Sequence, residues 1–240
     1  MTEPTGWPIP RALVEHARQF YAAGTTPAVP RIAATVVLLR PAPQGFEVYV
    51  IRRSATMVFA SGMYAFPGGS LDPGDTDIAC AAAREVFEES GVLLAGPDES
   101  TVVGDVSDDD WEAQRHALVE GTLSFADLLQ RRGLVLRTDL LVPWARWITP
   151  EFEPRRYDTY FFLARLPEEQ QTREVTTEAD HTLWIRPGDA LARLTMLPPT
   201  LVMLTELSRY SDVDSVLAAA AERDAVTPVM PRVDGDRLVL

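Results

Sequence analysis

The stretch Asp77-Ile78-Ala79-Cys80-Ala81-Ala82-Ala83-Arg84-Glu85-Val86-Phe87-Glu88-Glu89-Ser90-Gly91 decides the fold. Asp77, or Asp75 or Thr76 just before it, can cap a helix start, and Gly91 suits the left-handed residue that closes one. At about 100° per residue, Glu85, Glu88 and Glu89 fall on one face, while Ala79, Cys80, Ala83, Val86 and Phe87 fall on the other side. The spacing predicts a helix with an apolar stripe to bury and a carboxylate stripe pointing away from it. Ala81 and Ala82, small residues beside the acids, are expected to leave room for a ligand. The preceding run Pro67-Gly68-Gly69-Ser70-Leu71-Asp72-Pro73-Gly74-Asp75 is rich in turn formers and is expected to be a loop feeding the helix.

Three carboxylates spaced i, i+3 and i+4 repel one another by roughly a few tenths of a kcal/mol per pair. A hard divalent cation reverses that sign, and Mg²⁺ suits an all-oxygen face that shares its shell with substrate phosphates. The glycines let the backbone approach the same ion or an anion, and Arg84 can orient a carboxylate with its fork. A solvated acidic helix face is the plain alternative for the glutamates alone. The glycine loop and the Arg84–Glu85 pair favour a site.

Around this helix, residues 11–23 carry apolar positions at helical spacing, and two β-branched runs, 32–39 and 46–51, are separated by turn residues as in a hairpin. A short extended stretch is expected at 63–66. Residues 105–133 form a polar, acidic, mostly helical insertion from which no chemistry is expected. Strands follow at 140–148, 157–164 and 182–185, then helices at 187–194, 199–210 and 212–223 ahead of a proline-containing tail. Strands with a central helix and peripheral helices imply an α+β sandwich with a mixed sheet, an N-terminal helix and C-terminal helices. With no linker to divide it, the chain reads as one domain over 1–240, with a core of about 30–200 and a C-terminal helical extension of about 198–224.

Composition removes several functions. All 22 basic residues are Arg, and the sequence has neither Lys nor Asn, which excludes a Walker A loop, a Schiff-base lysine and N-glycosylation. One cysteine, Cys80, makes neither an internal disulfide nor a cysteine-rich zinc site, and His16, His116 and His181 lack ligand spacing. No segment approaches the roughly 18 apolar residues of a membrane span, and the N-terminus lacks a signal-peptide pattern, so a soluble, cytoplasmic protein is expected. A net charge of -13 disfavours nucleic acid. A compact polyanion binds such a chain only with a cation or a local Arg cluster beside it.

The run Gly69-x5-Asp75-x8-Arg84-Glu85-Val86-Phe87-Glu88-Glu89-Ser90-Gly91-Val92 resembles the Nudix box, G-x5-E-x7-R-E-U-x-E-E-x-G-U with U bulky and apolar, of the Nudix hydrolases. Its second half matches at every fixed position. In the first half Asp75 stands where Glu is usual, and one extra residue separates it from Arg84. That departure, together with Phe66-Pro67-Gly68-Gly69, is similar to the coenzyme A diphosphatase branches of the family. Arg53-Ser54, Phe59, Gly62, Trp147-Ile148-Thr149-Pro150-Glu151 and Asp158-Thr159-Tyr160-Phe161-Phe162 resemble the peroxisomal-type members in particular. The His that the bacterial-type motif carries shortly before Phe-Pro-Gly-Gly is absent, with Ala60-Ser61 in that region.

The resemblance implies a Nudix fold, an α/β/α sandwich, and hydrolysis of the diphosphate linkage of a nucleoside diphosphate derivative. Coenzyme A or an acyl-CoA, giving 3′,5′-ADP and (acyl-)phosphopantetheine, is the first expectation for substrate. ADP-ribose, NADH or another nucleotide diphosphate is the competitor. It further implies Mg²⁺ or Mn²⁺ held by Glu85, Glu88, Glu89 and the backbone of Gly69, with Arg84 in the catalytic set, and homodimers as a common assembly. The general base lies within the box or on a later loop, where Glu178 is the candidate. Gly68, Gly69 and one of Arg52 and Arg53 are expected against substrate phosphate, since strand alternation sends the two arginines to opposite faces. Arg155-Arg156 could serve a phosphate in the same way, although a basic pair flanking a turn is read more simply as a solvated rim. Trp144, Trp147, Phe161 and Phe162 are expected to be core, as is Cys80. A binding module without turnover, using 105–133 as partner surface, is the reading from another class, and the complete Arg84, Glu85, Glu88, Glu89 set argues against it.

Overall fold

The computed structural model describes residues 6–54, 62–173 and 179–240. From the N-terminus it runs through β1 (Trp7–Pro8), α1 (Arg11–Ala22), the long strands β2 (Arg31–Ala42) and β3 (Gly45–Arg53), short β4 (Tyr64–Ala65) and β5 (Gly68–Ser70), and α2 (Ile78–Ser90). Then come β6 (Ala95–Gly96), α3 (Asp109–Val119), α4 (Phe125–Arg132), β7 (Val135–Leu136), β8 (Val142–Ile148), β9 (Tyr157–Arg165) and β10 (Ala179–Ile185). The chain ends in α5 (Pro187–Arg193), α6 (Pro198–Leu207), α7 (Val213–Ala220), β11 (Pro228–Val229), β12 (Arg232–Asp234) and β13 (Arg237–Val239).

The central sheet has the order β10-β3-β2-β9-β8-β11, with β4 against β3 and β5 against β2. It is mixed: β2 runs parallel to β9 but antiparallel to β3. Strand β2 is apolar on both faces because both are covered, as expected for the middle layer of a sandwich. Ala34, Val36 and Leu38 enter a core shared with α2, α3 and α4, whereas Val37 and Leu39 enter a second core with α6 and α7. Each of these fully buried Val and Leu side chains contributes about 1.5–3 kcal/mol through its removal from water. The expected α+β sandwich with a mixed sheet is the observed architecture.

Strand β2 changes partner along its length, and this split positions the site. Its C-terminal half pairs with β3, from Leu39 opposite Val48 to Ala42 opposite Gly45. Its N-terminal half pairs on the same side with β5, Ala33 opposite Ser70 and Thr35 opposite Gly68. Residues 68–70, expected to be loop, are therefore a strand. The glycines that read as turn formers serve a close approach: a Cβ on Gly68 would lie 2.4 Å from the carbonyl oxygen of Ala34.

Two further expectations are corrected. The C-terminal tail contains three strands: β11 joins β8, while β12 and β13 form a small sheet with β1 from the other end of the chain. The insertion at 105–133, expected to be polar, also builds the core: Trp111, Leu118, Leu123, Phe125 and Leu128 all enter the cluster that contains α2. No helix among the described residues is long and apolar enough to cross a membrane.

Candidate active site

Helix α2 begins and ends as its sequence requires. The Asp77 carboxylate accepts from the Cys80 N–H at 2.8 Å, and Gly91 closes the helix in the left-handed conformation at φ 73°. The apolar stripe is buried, with Cys80 inside the core and its thiol pushed up by burial. Ala81 and Ala82, however, make no room for a ligand: both are fully buried in the core under the sheet, because the helix lies too close to β2 for larger residues. The carboxylate stripe also does not face bulk water. Glu85 and Glu89 are buried, and with Glu88 they form one wall of a cleft of about 810 Å³.

Arg84 organises the acids. Its Nε and Nη2 donate to the two oxygens of Asp75, at 3.1 and 2.9 Å, and Nη2 also donates to the Ser70 carbonyl at 2.9 Å. Its Nη1 donates to Glu85 at 2.9 Å and to Glu88 at 3.4 Å. Asp75, out of step in the sequence motif, is thus the bidentate partner of the guanidinium, and its side chain is only 2% exposed. Burial opposes the Arg84 charge, but its hydrogen bonds to Asp75 and the fields of Glu85 and Glu88 outweigh it and hold the group above its ordinary value. Glu88 is also raised, which for a carboxyl disfavours the charged form: burial pushes it up, Arg84 only partly offsets this, and Asp72 and Asp75 add to the rise.

The glycines complete this wall. The Gly68 N–H donates to Glu89 at 2.7 Å. A Cβ on Gly69 would lie 2.3 Å from Glu85 Oε1, so only glycine lets that carboxylate lie against the strand. The opposite wall comes from β8, β9 and the turn between them, where Trp147, Tyr157, Thr159 and Phe161 face the cleft. Alternation carries β2 into the same floor through Ala33 and Thr35.

The donor set suits a hard divalent cation. Three carboxylates and the Gly69 backbone border one cleft, all oxygen donors, the chemistry such an ion prefers. As they stand among the described residues, no three acidic or imidazole groups form a closed metal cluster, because Arg84 engages Glu85 and Glu88 while Gly68 engages Glu89. Ligation would have to redirect those side chains.

Of the residues singled out from sequence, Arg53, Gly68, Gly69, Arg84, Glu85, Glu88 and Glu89 line the same cleft. Arg52 is not among the residues that line it. Glu178 lies outside the described residues. Trp144, Trp147, Phe161 and Phe162 are core, as expected, although Trp147 and Phe161 also present an edge to the cleft. The Arg155-Arg156 pair is not the simple rim its sequence suggests. Arg156 is buried and donates to the carbonyls of Thr149 and Ala28, at 3.0 and 2.8 Å, while Arg155 lines the cleft.

Sequence reasoning missed Arg115. From α3 it donates to the Glu88 carbonyl at 2.9 Å, tying the insertion to the C-terminal turn of the carboxylate helix. Trp111, Arg115 and Leu118, all buried, share one face at i, i+4 and i+7, which was the available signal.

Residues 72–201 match the family model described as the NUDT19 Nudix domain. The acyl-coenzyme A diphosphatase NUDT19 of Gallus gallus is 30% identical over 222 residues, covering 82% of this chain and 55% of that protein. The protein of the same name from Xenopus laevis is 26% identical over 165 residues, covering 62% of this chain and 43% of that one. The chain therefore spans about half the length of these two relatives. The crystal structure of a NUDIX hydrolase from Alicyclobacillus acidocaldarius is 31% identical, with a TM-score of 0.72 over 80% of this chain and 96% of that one.

Proposed function

The chain belongs to the Nudix hydrolase family, in its NUDT19 branch, and on that premise we propose that it hydrolyses the diphosphate linkage of coenzyme A or an acyl-CoA, releasing 3′,5′-ADP and (acyl-)phosphopantetheine. The observation that carries this reading is the cleft in which the box acids, the paired glycines and Arg53 meet. The substrate class follows the acyl-coenzyme A diphosphatase activity for which the chicken and frog relatives are named.

Members of this family generally need divalent metal ions. Glu85, Glu88, Glu89 and the Gly69 backbone are the proposed ligands of Mg²⁺ or Mn²⁺, which when bound neutralises the diphosphate and lowers the pKa of water. Arg84, held by Asp75, fixes the directions from which the three carboxylates address the cleft. Arg53 reaches substrate phosphate from the end of β3. In the reaction, water oxygen bonds to one phosphorus, the bond from that phosphorus to the bridging oxygen breaks, and the second phosphate leaves as a monoester. The proton of the attacking water passes to a carboxylate, for which Glu178 is the candidate on sequence alone.

The test is incubation of the purified protein with Mg²⁺ or Mn²⁺ and a panel of CoA, an acyl-CoA, ADP-ribose, NADH and a diadenosine polyphosphate. Products are resolved by chromatography, with Glu88→Gln as control. Metal-dependent and Glu88-dependent formation of 3′,5′-ADP supports the reading. Turnover of ADP-ribose or NADH with none of CoA refutes the substrate.

A further inference from the structure

The cleft contains three arginines in different states. Arg84 is saturated by Asp75, Glu85, Glu88 and the Ser70 carbonyl, and Arg53 is also engaged. Arg155 is exposed, lines the cleft, and makes no hydrogen bond or ion pair among the described residues. In a chain with 35 acidic residues against 22 arginines, an unengaged guanidinium beside a substrate cleft needs an account. Glu153 borders the same cleft two residues earlier, yet the two do not pair.

The placement of Arg155 follows from its neighbours. On β9, Tyr157, Thr159 and Phe161 face the cleft in strict alternation, and Arg155 continues that series one step beyond the strand. Arg156 belongs to the other series and anchors the turn through Thr149, Ala28 and the sulfur of Met230. Its own carbonyl accepts from the Arg31 N–H at 2.9 Å, which locks the turn to the start of β2. The result is a cation on a fixed turn with no partner among the described residues. β2 separates β9 from β5: Ala33 lies between Thr159 and Ser70 in the sheet. Arg155 therefore stands across the cleft floor from the glycines and carboxylates, separated from them by two strand spacings of about 4.8 Å and a few residues of chain.

We propose that Arg155 is a specificity-determining residue that binds the 3′-phosphate of the substrate's adenosine moiety, distinguishing coenzyme A-type substrates from nucleotide diphosphates that lack it. The inference rests on the hydrolase reading above and deepens it. A dianionic phosphate monoester is the group of coenzyme A that ADP-ribose and NADH do not carry, and a guanidinium fork is the side chain suited to it. The diphosphate itself already has the carboxylate wall and Arg53 assigned to it. A second, separate anion accounts for a second, separate cation.

The experiment compares CoA with dephospho-CoA, which differ only in that phosphate, for the parent protein, Arg155→Ala and Arg155→Lys. The parent is expected to favour CoA in kcat/KM by about tenfold or more, the scale of a charge-assisted hydrogen bond. Arg155→Ala brings the ratio close to one, mainly by raising KM for CoA, and Arg155→Lys restores part of it. Calorimetry without metal supplies a readout apart from turnover: 3′,5′-ADP binds the parent more tightly than 5′-ADP does, and Arg155→Ala removes the difference. Equal treatment of CoA and dephospho-CoA by the parent overturns the proposal. So does a parent preference that survives Arg155→Ala. Failure to hydrolyse either compound removes the substrate reading itself, and this inference with it.

Discussion

Replacing Asp75 by Asn tests whether the displaced acid of the box is structural. The change keeps the shape of the side chain, so no cavity forms, and removes only the charge facing Arg84. Both groups are buried, with side-chain exposures of 8% for Arg84 and 2% for Asp75. Removing one partner of a buried pair costs about 3–5 kcal/mol when the other charge is left uncompensated. Arg84 keeps Glu85 at 2.9 Å and Glu88 at 3.4 Å, so the lower end, about 3 kcal/mol, applies. For a domain of this size each kcal/mol lowers Tm by about 2–4 °C, giving an expected loss of about 6–12 °C by differential scanning calorimetry. The guanidinium should also swing further onto Glu85 and Glu88, so that turnover falls along with Tm. Asp72→Asn is the control: that carboxylate is 3.8 Å away and 63% exposed, and its loss should shift Tm by no more than about 4 °C, as for a surface pair. Equal and small shifts for both variants, with activity unchanged, would refute the idea that Asp75 holds the carboxylate wall.

Other expectations concern the same wall and its support. Glu88→Gln and Glu89→Gln should each reduce metal-dependent turnover by orders of magnitude while far-UV circular dichroism stays unchanged, since they remove charge from the cleft and leave the core intact. The adjacent glycines should separate in kind. Gly68→Ala drives a Cβ into the fixed carbonyl of Ala34 and should lower stability by about 1–3 kcal/mol in urea titration, whereas Gly69→Ala meets the Glu85 carboxylate first, a side-chain end that can shift, and should chiefly reduce turnover. For Glu112, burial alone would push the carboxyl up, but pairing with Arg115 and Arg173 outweighs it and holds the group below its usual 4.5. A lowered folded pKa means stability present above that value and lost as pH falls through the folded one. The stability gap between the parent and Glu112→Gln should therefore be full at pH 6 and shrink steadily below about pH 4.5, read from urea midpoints across that range.

What the sequence disclosed, and what it concealed, follows from the distance over which each feature is determined. The carboxylate helix was legible because its cap, its two faces and its closing glycine all lie within a few turns of one another. Strand β2 was legible because being apolar on both faces has one common cause, burial in a middle layer. The hidden features depend on partners remote in sequence. Trp7 and Pro8 become a strand only because Leu238 and Arg237 arrive beside them from the other end of the chain. Gly68 and Gly69 carry a turn signature locally, yet their lack of a side chain serves the approach of β5 to β2 and of Glu85 to β5. The arginine pair at 155 and 156 looked like one basic patch, but strand parity divides it into an anchor and a cation facing the cleft.

The exclusive use of arginine gains a structural sense from these contacts. A planar fork with five donors can bond a carboxylate and a backbone carbonyl at once, whereas an ammonium acts as a compact point charge. Arg84 joins α2 to the Ser70 carbonyl, Arg115 joins α3 to the Glu88 carbonyl, and Arg156 joins the β8–β9 turn to the Ala28 carbonyl. Arg173 and Arg223 do the same for the carbonyls of Gly91 and Trp144. In an acidic chain these guanidiniums fix the two walls of the cleft relative to the sheet by ties that are directional as well as attractive. A lysine at position 84 would supply the charge and lose the simultaneous hold on Asp75, Glu85 and Ser70. The carboxylates would then be free to spread apart under their mutual repulsion, and the cleft would no longer present them as a set.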